Sequence, residues 1–557
     1  MKKNRFTNAS FWLLAAMAAV AAACADEERP EVAPVAEPSV VLMPATGEHR
    51  LKIGGSVMLT AVVENALSPI FSWVVDGKIV STDPSFTFLA ERLGEYFVTF
   101  RVDAENGSAT AQVKISVLEK LPPTITLPST AIAYRDVAKE FVAEAENADS
   151  ATYVWRLEGE VVSESKTYTF TRHTLGDYAL SLKVTTAEGQ DLKGITVTVL
   201  PEPLPELYFD NGRYRAPSNI AERRKMTVPS DKSLVLAPVI RNIDNPTTFV
   251  WTVDGAVQPA TGEHFTFTPP AQGTYLVSVT EQSTNATGEV EVTCTPPEGT
   301  YRRTGGVKNH ATTAFYYIPA PGQYIGAMEG MTIADALLEL QAWCTAGADG
   351  YYMIGAFGGY YIVGFDHSVS NEPDKADLQI NGNPMGGWCE SGVIWVMQDE
   401  NGNGHPDDTW YELKGSETGK PETKQRYALT YYRPKDLTAG VAWTDNMGGS
   451  GSAGRYPQII TDDYYTLTGT CLASTVVETG LSYSECYEWG YVDGYNTSPL
   501  RSTTGHFWLE DAIQADGSPA NLQYIDFVKV HTAINARTQN VGEISTEARM
   551  PYDLNFN

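Results

Sequence analysis

The sequence predicts an all-β protein, a row of three tandem β-sandwiches followed by a larger and different β domain, on three observations. A tryptophan-centred pattern recurs three times at nearly constant spacing. Short alternating strands separated by turn signals fill each copy, in units of about 80 to 95 residues, the mark of sandwich folds. After about residue 300 the pattern stops and the aromatic content rises: seven of the eleven tryptophans and 21 of the 29 tyrosines lie beyond that point. At 557 residues the chain is also too long for one core, so three to five domains is the expectation.

The chain opens with Lys2, Lys3 and Arg5, runs through an uncharged, mostly apolar stretch from Phe11 to Ala23, and reaches Ala21-Ala22-Ala23-Cys24. A membrane-crossing helix needs about 20 apolar residues, and a shorter run after a basic start reads as a secretory signal, here residues 1–23. Small residues before a cysteine resemble the lipobox of bacterial lipoproteins, which implies lipidation at Cys24 and anchoring to the outer membrane. Ordinary signal cleavage is the alternative. The following Ala25-Asp26-Glu27-Glu28 resembles the surface-export signal of Bacteroidetes-type lipoproteins, which implies an outward-facing protein; a generic linker on a periplasmic lipoprotein is the other reading. Residues 24–37 are acid-, proline- and alanine-rich, a composition that buries no core and acts as a solvated tether.

The chain carries 40 basic and 68 acidic residues, a net charge of −28. Removing the signal deepens it to about −31, since it takes three cations and no acid. Such a surface repels phosphate backbones and anionic lipid heads, which argues against nucleic acid as a partner. It suits divalent cations and neutral ligands.

The three copies come next. Trp73 sits in Phe71-Ser72-Trp73-Val74-Val75-Asp76-Gly77, Trp155 in Tyr153-Val154-Trp155-Arg156-Leu157-Glu158-Gly159, and Trp251 in Phe249-Val250-Trp251-Thr252-Val253-Asp254-Gly255. Each strand runs into an acid-Gly turn. Phe86-Thr87-Phe88, Tyr168-Thr169-Phe170 and Phe265-Thr266-Phe267 follow, then Gly94-Glu95-Tyr96, Gly176-Asp177-Tyr178 and Gly273-Thr274-Tyr275. These units resemble PKD domains, immunoglobulin-like sandwiches with a tryptophan buried between two sheets, although they lack that family's fuller WxFGDG turn. The resemblance implies that each tryptophan anchors a core. With proline-rich joints at 121–123 and 201–205, the modules are expected at 38–119, 120–201 and 202–299, forming a semi-rigid stalk.

Residues 300–557 form the fourth domain. Met331 to Leu340 has the apolar spacing of one amphipathic helix, and the remainder reads as strands and long loops. Its most specific motif is Asp399-Glu400-Asn401-Gly402-Asn403-Gly404-His405-Pro406-Asp407-Asp408. Oxygen-bearing side chains at loop positions 1, 3, 5 and 9, with glycine at 6, match the first part of a calcium loop of EF-hand or dockerin type. A hard cation takes six to eight oxygens, and the sharp turn that gathers them favours Gly404. Asp399, Asn401, Asn403 and Asp407 would supply side chains and His405 its carbonyl. Position 12 is Trp410, so Asp408 or Glu412 would complete the shell of a structural calcium. An Asn/Gly-rich turn without metal is the alternative.

Five cysteines lie outside the lipobox, four of them after residue 300, and an exported chain permits disulfides. Cys471 with Cys486 is the expected pair because the intervening loop is short; Cys294 reads as a buried small apolar residue. His367 ends a strand and reads as a hydrogen-bonded structural histidine rather than a ligand or base. Glu390, Asp366 and Asp377 are candidate acids whose separation the sequence does not supply. The glycine-rich 448–454 lacks the context of a nucleotide loop and reads as a loop.

Pro319-Ala320-Pro321-Gly322-Gln323-Tyr324, the segment Gly358 to His367, Asn381-Gly382-Asn383, the segment Thr409 to Ser416, and Gly542-Glu543-Ile544-Ser545-Thr546-Glu547 together resemble a family of Bacteroidetes surface lipoproteins. That resemblance implies a jelly-roll-like, galactose-binding-like domain, and an accessory role beside TonB-dependent transporters, in particular those for cobalamin (corrinoids). Three functions follow as expectations: a non-enzymatic lipoprotein that captures a corrinoid or similar nutrient, a glycan-binding protein of the same architecture, or a hydrolase whose acids are not recognisable. Trp388, Trp489, Tyr491 and Tyr495 lie beside turn-forming glycines and are the candidate ligand-binding rings, with core packing as the alternative for each.

Overall fold

The computed structural model describes residues 36–556 apart from 46, 324, 326–330, 348–349, 386–387, 438–439, 478–482, 499–500, 502 and 539–541. The expected signal peptide, Cys24 and nearly all of the tether lie outside the described residues. Among the described residues no helix is long and apolar enough to cross a membrane. The chain divides into two compact units at Leu121/Pro122.

In the first unit, one sheet runs in the order Glu48–Lys52, Gly107–Leu118, Gly94–Ala104, Ile70–Val75, Lys78–Ser81, and a second joins Ser39–Met43, Ser56–Glu64 and Ser85–Leu89. Leu42, Leu59 and Phe88 of the smaller sheet share a core with Trp73, Phe100 and Val113 of the larger. Trp73 is fully buried, stands edge-on to Phe100 at 4.8 Å, and donates its indole N–H to the carbonyl of Asp83 at 2.9 Å. Burying such a ring together with its polar tip stabilises the core strongly, and truncation of a buried tryptophan costs about 3–5 kcal/mol.

The second unit repeats that five-stranded order twice, around Trp155 and around Trp251. The sequence repeats have local causes. The acid-Gly pairs are hairpin turns with both residues left-handed: Asp76 and Gly77 at φ 49° and 75°, Glu158 and Gly159 at 51° and 88°, Asp254 and Gly255 at 47° and 81°, the conformation that matches strand twist in a two-residue connection. In each Gly-x-Tyr, the tyrosine hydroxyl donates to a carbonyl four residues upstream, Tyr96 to Arg92, Tyr178 to Thr174 and Tyr275 to Ala271, at 2.8–3.0 Å. That is the tyrosine corner of immunoglobulin-type sandwiches.

The fourth domain has a six-stranded sheet in the order Thr313–Ile318, Tyr360–Ser370, Tyr524–Thr532, Gly392–Met397, Trp410–Leu413, Ala512–Ile513, and a four-stranded sheet of Ser450–Ala453, Val441–Asp445, Lys424–Tyr432 and Tyr464–Cys471. Both are antiparallel and bury one core, the expected jelly-roll-like sandwich. The minor helix spans Ile333–Ala346, six residues beyond the expected end; it starts on a Thr332/Asp335 capping box and stops at Gly347, whose left-handed φ of 57° closes it.

The stalk expectation needs correction at the second and third modules: the strand Thr130–Tyr134 of the second packs against Val441–Asp445 and Ser450–Ala453 of the last domain, and the third is joined to that domain by hydrogen bonds and a shared core. Ala216 belongs to the core of the fourth domain, and Arg215 pairs with Thr466 through two backbone hydrogen bonds of 2.9 and 2.7 Å. The amide of Thr227 donates to the hydroxyl of Thr409 at 3.0 Å, and Gln514 bonds the backbones of Val235 and Ser233. Gly212, at φ 79°, lies so close to the Trp410 indole that a Cβ would sit 2.5 Å from it. The third module and the last domain are therefore one packed body. Sequence periodicity reports each sandwich's own faces but not polar contacts between residues some 200 to 300 positions apart.

Candidate ligand site

The loop Asp399–Asp408 connects two neighbouring antiparallel strands, with Met397 paired to Trp410. Trp410 is thereby a strand residue, which is why loop position 12 offers no ligand. Gly404 is left-handed, φ 75°, as position 6 requires. The Asp399 carboxylate accepts the N–H groups of Asn403 (3.0 Å) and Gly404 (2.9 Å). The Asn401 amide donates to both Asp407 (3.1 Å) and Asp408 (2.9 Å), and the Asn403 amide to Asp407. His405 is exposed at the rim, its N–H on the Asn403 side chain.

Asp399 and Asp408 are 1 % exposed. Burial, then repulsion from Glu400, Asp407 and Asp399, pushes the Asp408 carboxyl up to about 9, and burial raises Asp399 as well. A divalent cation would relieve that excess of buried negative charge, and the donor set is all oxygen, so the residues fit calcium by chemistry. The two asparagines are needed for it, because among the described residues no three His, Cys, Asp or Glu side chains converge on one point. Of the two candidates to complete the shell, Asp408 lies in the loop. Glu412 faces elsewhere, accepting the Thr470 hydroxyl beside a small cavity of about 100 Å³.

The expected Cys471–Cys486 bridge is corrected: Cys486 is bonded to Cys389, and Cys471 is a free, buried thiol, as are Cys294 and Cys344. The Cys389 N–H donates to the carbonyl of Ser484 at 2.9 Å, which lays the two cysteine segments side by side. Cys471 instead closes the strand Tyr464–Cys471, opposite Lys424. A short sequence separation carries little weight here, since loop-closure entropy grows only slowly with length.

Two of the four candidate rings share one small cluster, Trp388 packing against the group that holds Tyr491 and Tyr487. Tyr491 is a packing residue, 5 % exposed, its ring 5.2 Å from Tyr487 and its hydroxyl accepting the Glu417 N–H at 3.0 Å; this removes it from the ligand set. Tyr495 donates its hydroxyl to the carbonyl of Pro384 at 2.7 Å, and Trp388 pairs by backbone with Met385. Trp489 flanks Arg501 together with Trp508, their rings 5.9 and 4.0 Å from the guanidinium carbon. Sequence reasoning missed Trp508, which follows His506-Phe507 in a short strand and has no glycine beside it.

His367 is a structural histidine, its ring nitrogens 2.8 Å from Asp366 and 2.9 Å from Asp553. Asp377 accepts the N–H groups of Leu509 and Glu372. Glu390 accepts the Ser545 N–H and has Glu547 and Asp493 as charged neighbours, so the three candidate acids do not make one pair.

A cleft of about 730 Å³ lies where three parts of the fused body meet. Arg213 and the run Glu222 to Lys225 come from the third module, Phe315 and Tyr316 from the first strand of the larger sheet, and His405 to Asp407 from the loop just described. The Arg213 guanidinium stands 5.1 Å from the Tyr316 ring centre, and Phe315 meets His405 edge-on at 6.2 Å. Such a volume falls within the range of small-molecule sites. None of these cleft residues except those of the loop was singled out by sequence reasoning, though three consecutive cations, Arg223-Arg224-Lys225, in so acidic a chain were a usable signal.

The PKD-like domain family matches residues 37–104 and 122–186, so the first two modules are PKD-like domains; the third shares their strand order. No curated protein matches the chain. Among solved structures, the fibronectin(III)-like modules of Clostridium thermocellum CbhA are similar at 15% identity over 29% of this chain and 95% of that one, with a TM-score of 0.18. The I-band fragment I67-I69 of titin is similar at 12% identity over 46% of this chain and 98% of that one, with a TM-score of 0.15. Scores this low carry no argument, and the sandwich assignment rests on the strands and on the PKD-like match.

Proposed function

We propose that this chain is a lipid-anchored outer-membrane surface protein that binds a bulky nutrient without chemical turnover, a corrinoid by its family resemblance, and serves a TonB-dependent transporter. The observation that supports this is the 730 Å³ cleft in the fused body, which has room for a large ligand and two aromatic rings along one side. Calcium in the Asp399–Asp408 loop has a structural part in this reading: it stiffens one wall of the cleft, since His405 to Asp407 belong to both. The anchor is Cys24, and Cys24→Ala releases the protein from membranes; a variant retained there contradicts the anchor.

Titration calorimetry of the full chain with cobalamin tests the ligand. Saturable binding that Tyr316→Ala weakens at least tenfold supports the cleft, and absence of binding by the folded protein contradicts the corrinoid. A second reading, glycan binding, is favoured by the Trp489–Arg501–Trp508 arrangement, because flat rings are platforms for sugars. It predicts oligosaccharide binding lost in Trp489→Ala and Trp508→Ala but kept in Tyr316→Ala.

A further inference from the structure

Three cations of the cleft are held loosely. Arg213 reaches Glu222 only at 3.8 Å, Arg223 reaches Glu289 at 3.8 Å, and Lys225 reaches Glu291 at 3.9 Å, each beyond hydrogen-bond length. Partly exposed pairs of this kind hold their partners only weakly. Arg213 also buries its Nε with no hydrogen-bond partner among the described residues. Arg224 is 7 % exposed, and its guanidinium donates to the Asn211 side chain at 3.3 Å. Against these four cations stand the carboxylates of Glu222 and Asp407 in the lining and of Glu289 and Glu291 beside Arg223 and Lys225, so the cleft is locally balanced in a chain of net charge −28.

From this geometry we infer that the cleft binds an organic anion, a carboxylate or phosphate seated on Arg213, Arg223 and Lys225 with its apolar portion against Phe315 and Tyr316. Guanidinium forks match both oxyanions with paired donors; the acidic surface around the cleft repels anions, so the attraction is confined to these side chains. The inference rests on the cleft being the ligand site and adds the charge of what enters it.

The full chain is titrated calorimetrically with inorganic pyrophosphate and with citrate, which separate phosphate from carboxylate chemistry, at about 20 mM and about 500 mM salt. Expected is saturable binding of at least one anion, weakened at least tenfold by the higher salt and at least tenfold by Arg213→Gln/Arg223→Gln at unchanged melting temperature. Arg101→Gln, in the first unit, leaves it unchanged. The inference is overturned if neither anion binds, or if the double variant binds like the wild type. Cobalamin binding that Tyr316→Ala abolishes, with no anion bound or competing, would keep the cleft as the ligand site and overturn the anion alone.

Discussion

Lys529, in the central strand of the larger sheet, donates its ammonium to the carbonyl of Gly212 at 2.8 Å, across 317 residues of sequence. The lysine is 4 % exposed, lies 4.4 Å from the Tyr360 ring centre, and is held down to about 8 by burial, with Asp210 as its opposing charge. It ties the third module to the last domain.

Removing the ammonium leaves the Gly212 carbonyl without its charged donor, at a cost of about 1–3 kcal/mol. Lys529→Met therefore destabilises the third module and the fourth domain together. Denaturant unfolding followed by the fluorescence of Trp251 and of the later tryptophans checks it: both parts lose stability in one transition, whereas an unaltered third module would contradict the fused body.

Calcium removal lowers the melting temperature of the full chain, and Asp399→Ala abolishes that sensitivity. A site filled at a hundred times its dissociation constant contributes about 2.7 kcal/mol. Identical melting curves in chelator and in millimolar calcium would leave the loop as a metal-free turn.

Peptide mapping under non-reducing conditions recovers Cys389 linked to Cys486 and leaves Cys471 as a thiol. Cys389→Ser costs about 2–4 kcal/mol, and Cys471→Ser does not reproduce the effect of losing a bridge. A Cys471–Cys486 peptide would contradict the fold around the strand Tyr464–Cys471.

The pH dependence has a definite sign. Burial pushes Glu412 up to about 7 from an ordinary 4.5, and Glu390 likewise to about 7. Between 4.5 and 7 the folded protein holds protons that the unfolded chain has released, so these groups lower stability as pH rises through that window. For the fully buried Glu412 the effect is on the order of 3 kcal/mol, at about 1.4 kcal/mol per unit. Glu412→Gln, which keeps an acceptor for Thr470, flattens the melting profile between about pH 5 and 8; an unchanged slope contradicts the assignment.

The features legible in the sequence are those whose causes are local. Trp73, Trp155 and Trp251 mark core faces because strand alternation fixes them, and the acid-Gly and Gly-x-Tyr repeats encode a turn and a corner that close within four residues. The order of oxygens from Asp399 to Asp407 was likewise readable, because one loop holds them all. Features assembled from distant segments were not. The Cys389–Cys486 pair spans 97 residues, and Tyr491 is buried by contacts with Glu417 and Tyr487 that adjacent glycines do not announce. The cleft joins segments near residues 213, 315 and 405, and only the docking of the third module brings them together.

The proposed function requires that the ligand enter the cleft between the third module and the last domain. A side-by-side calorimetric titration with cobalamin of the wild-type chain, Tyr316→Ala and Trp489→Ala tests it most directly. Expected is saturable binding by the wild type and Trp489→Ala, with at least a tenfold loss in Tyr316→Ala at unchanged melting temperature. Binding that survives Tyr316→Ala and disappears in Trp489→Ala would place the ligand on the tryptophan platform and contradict it.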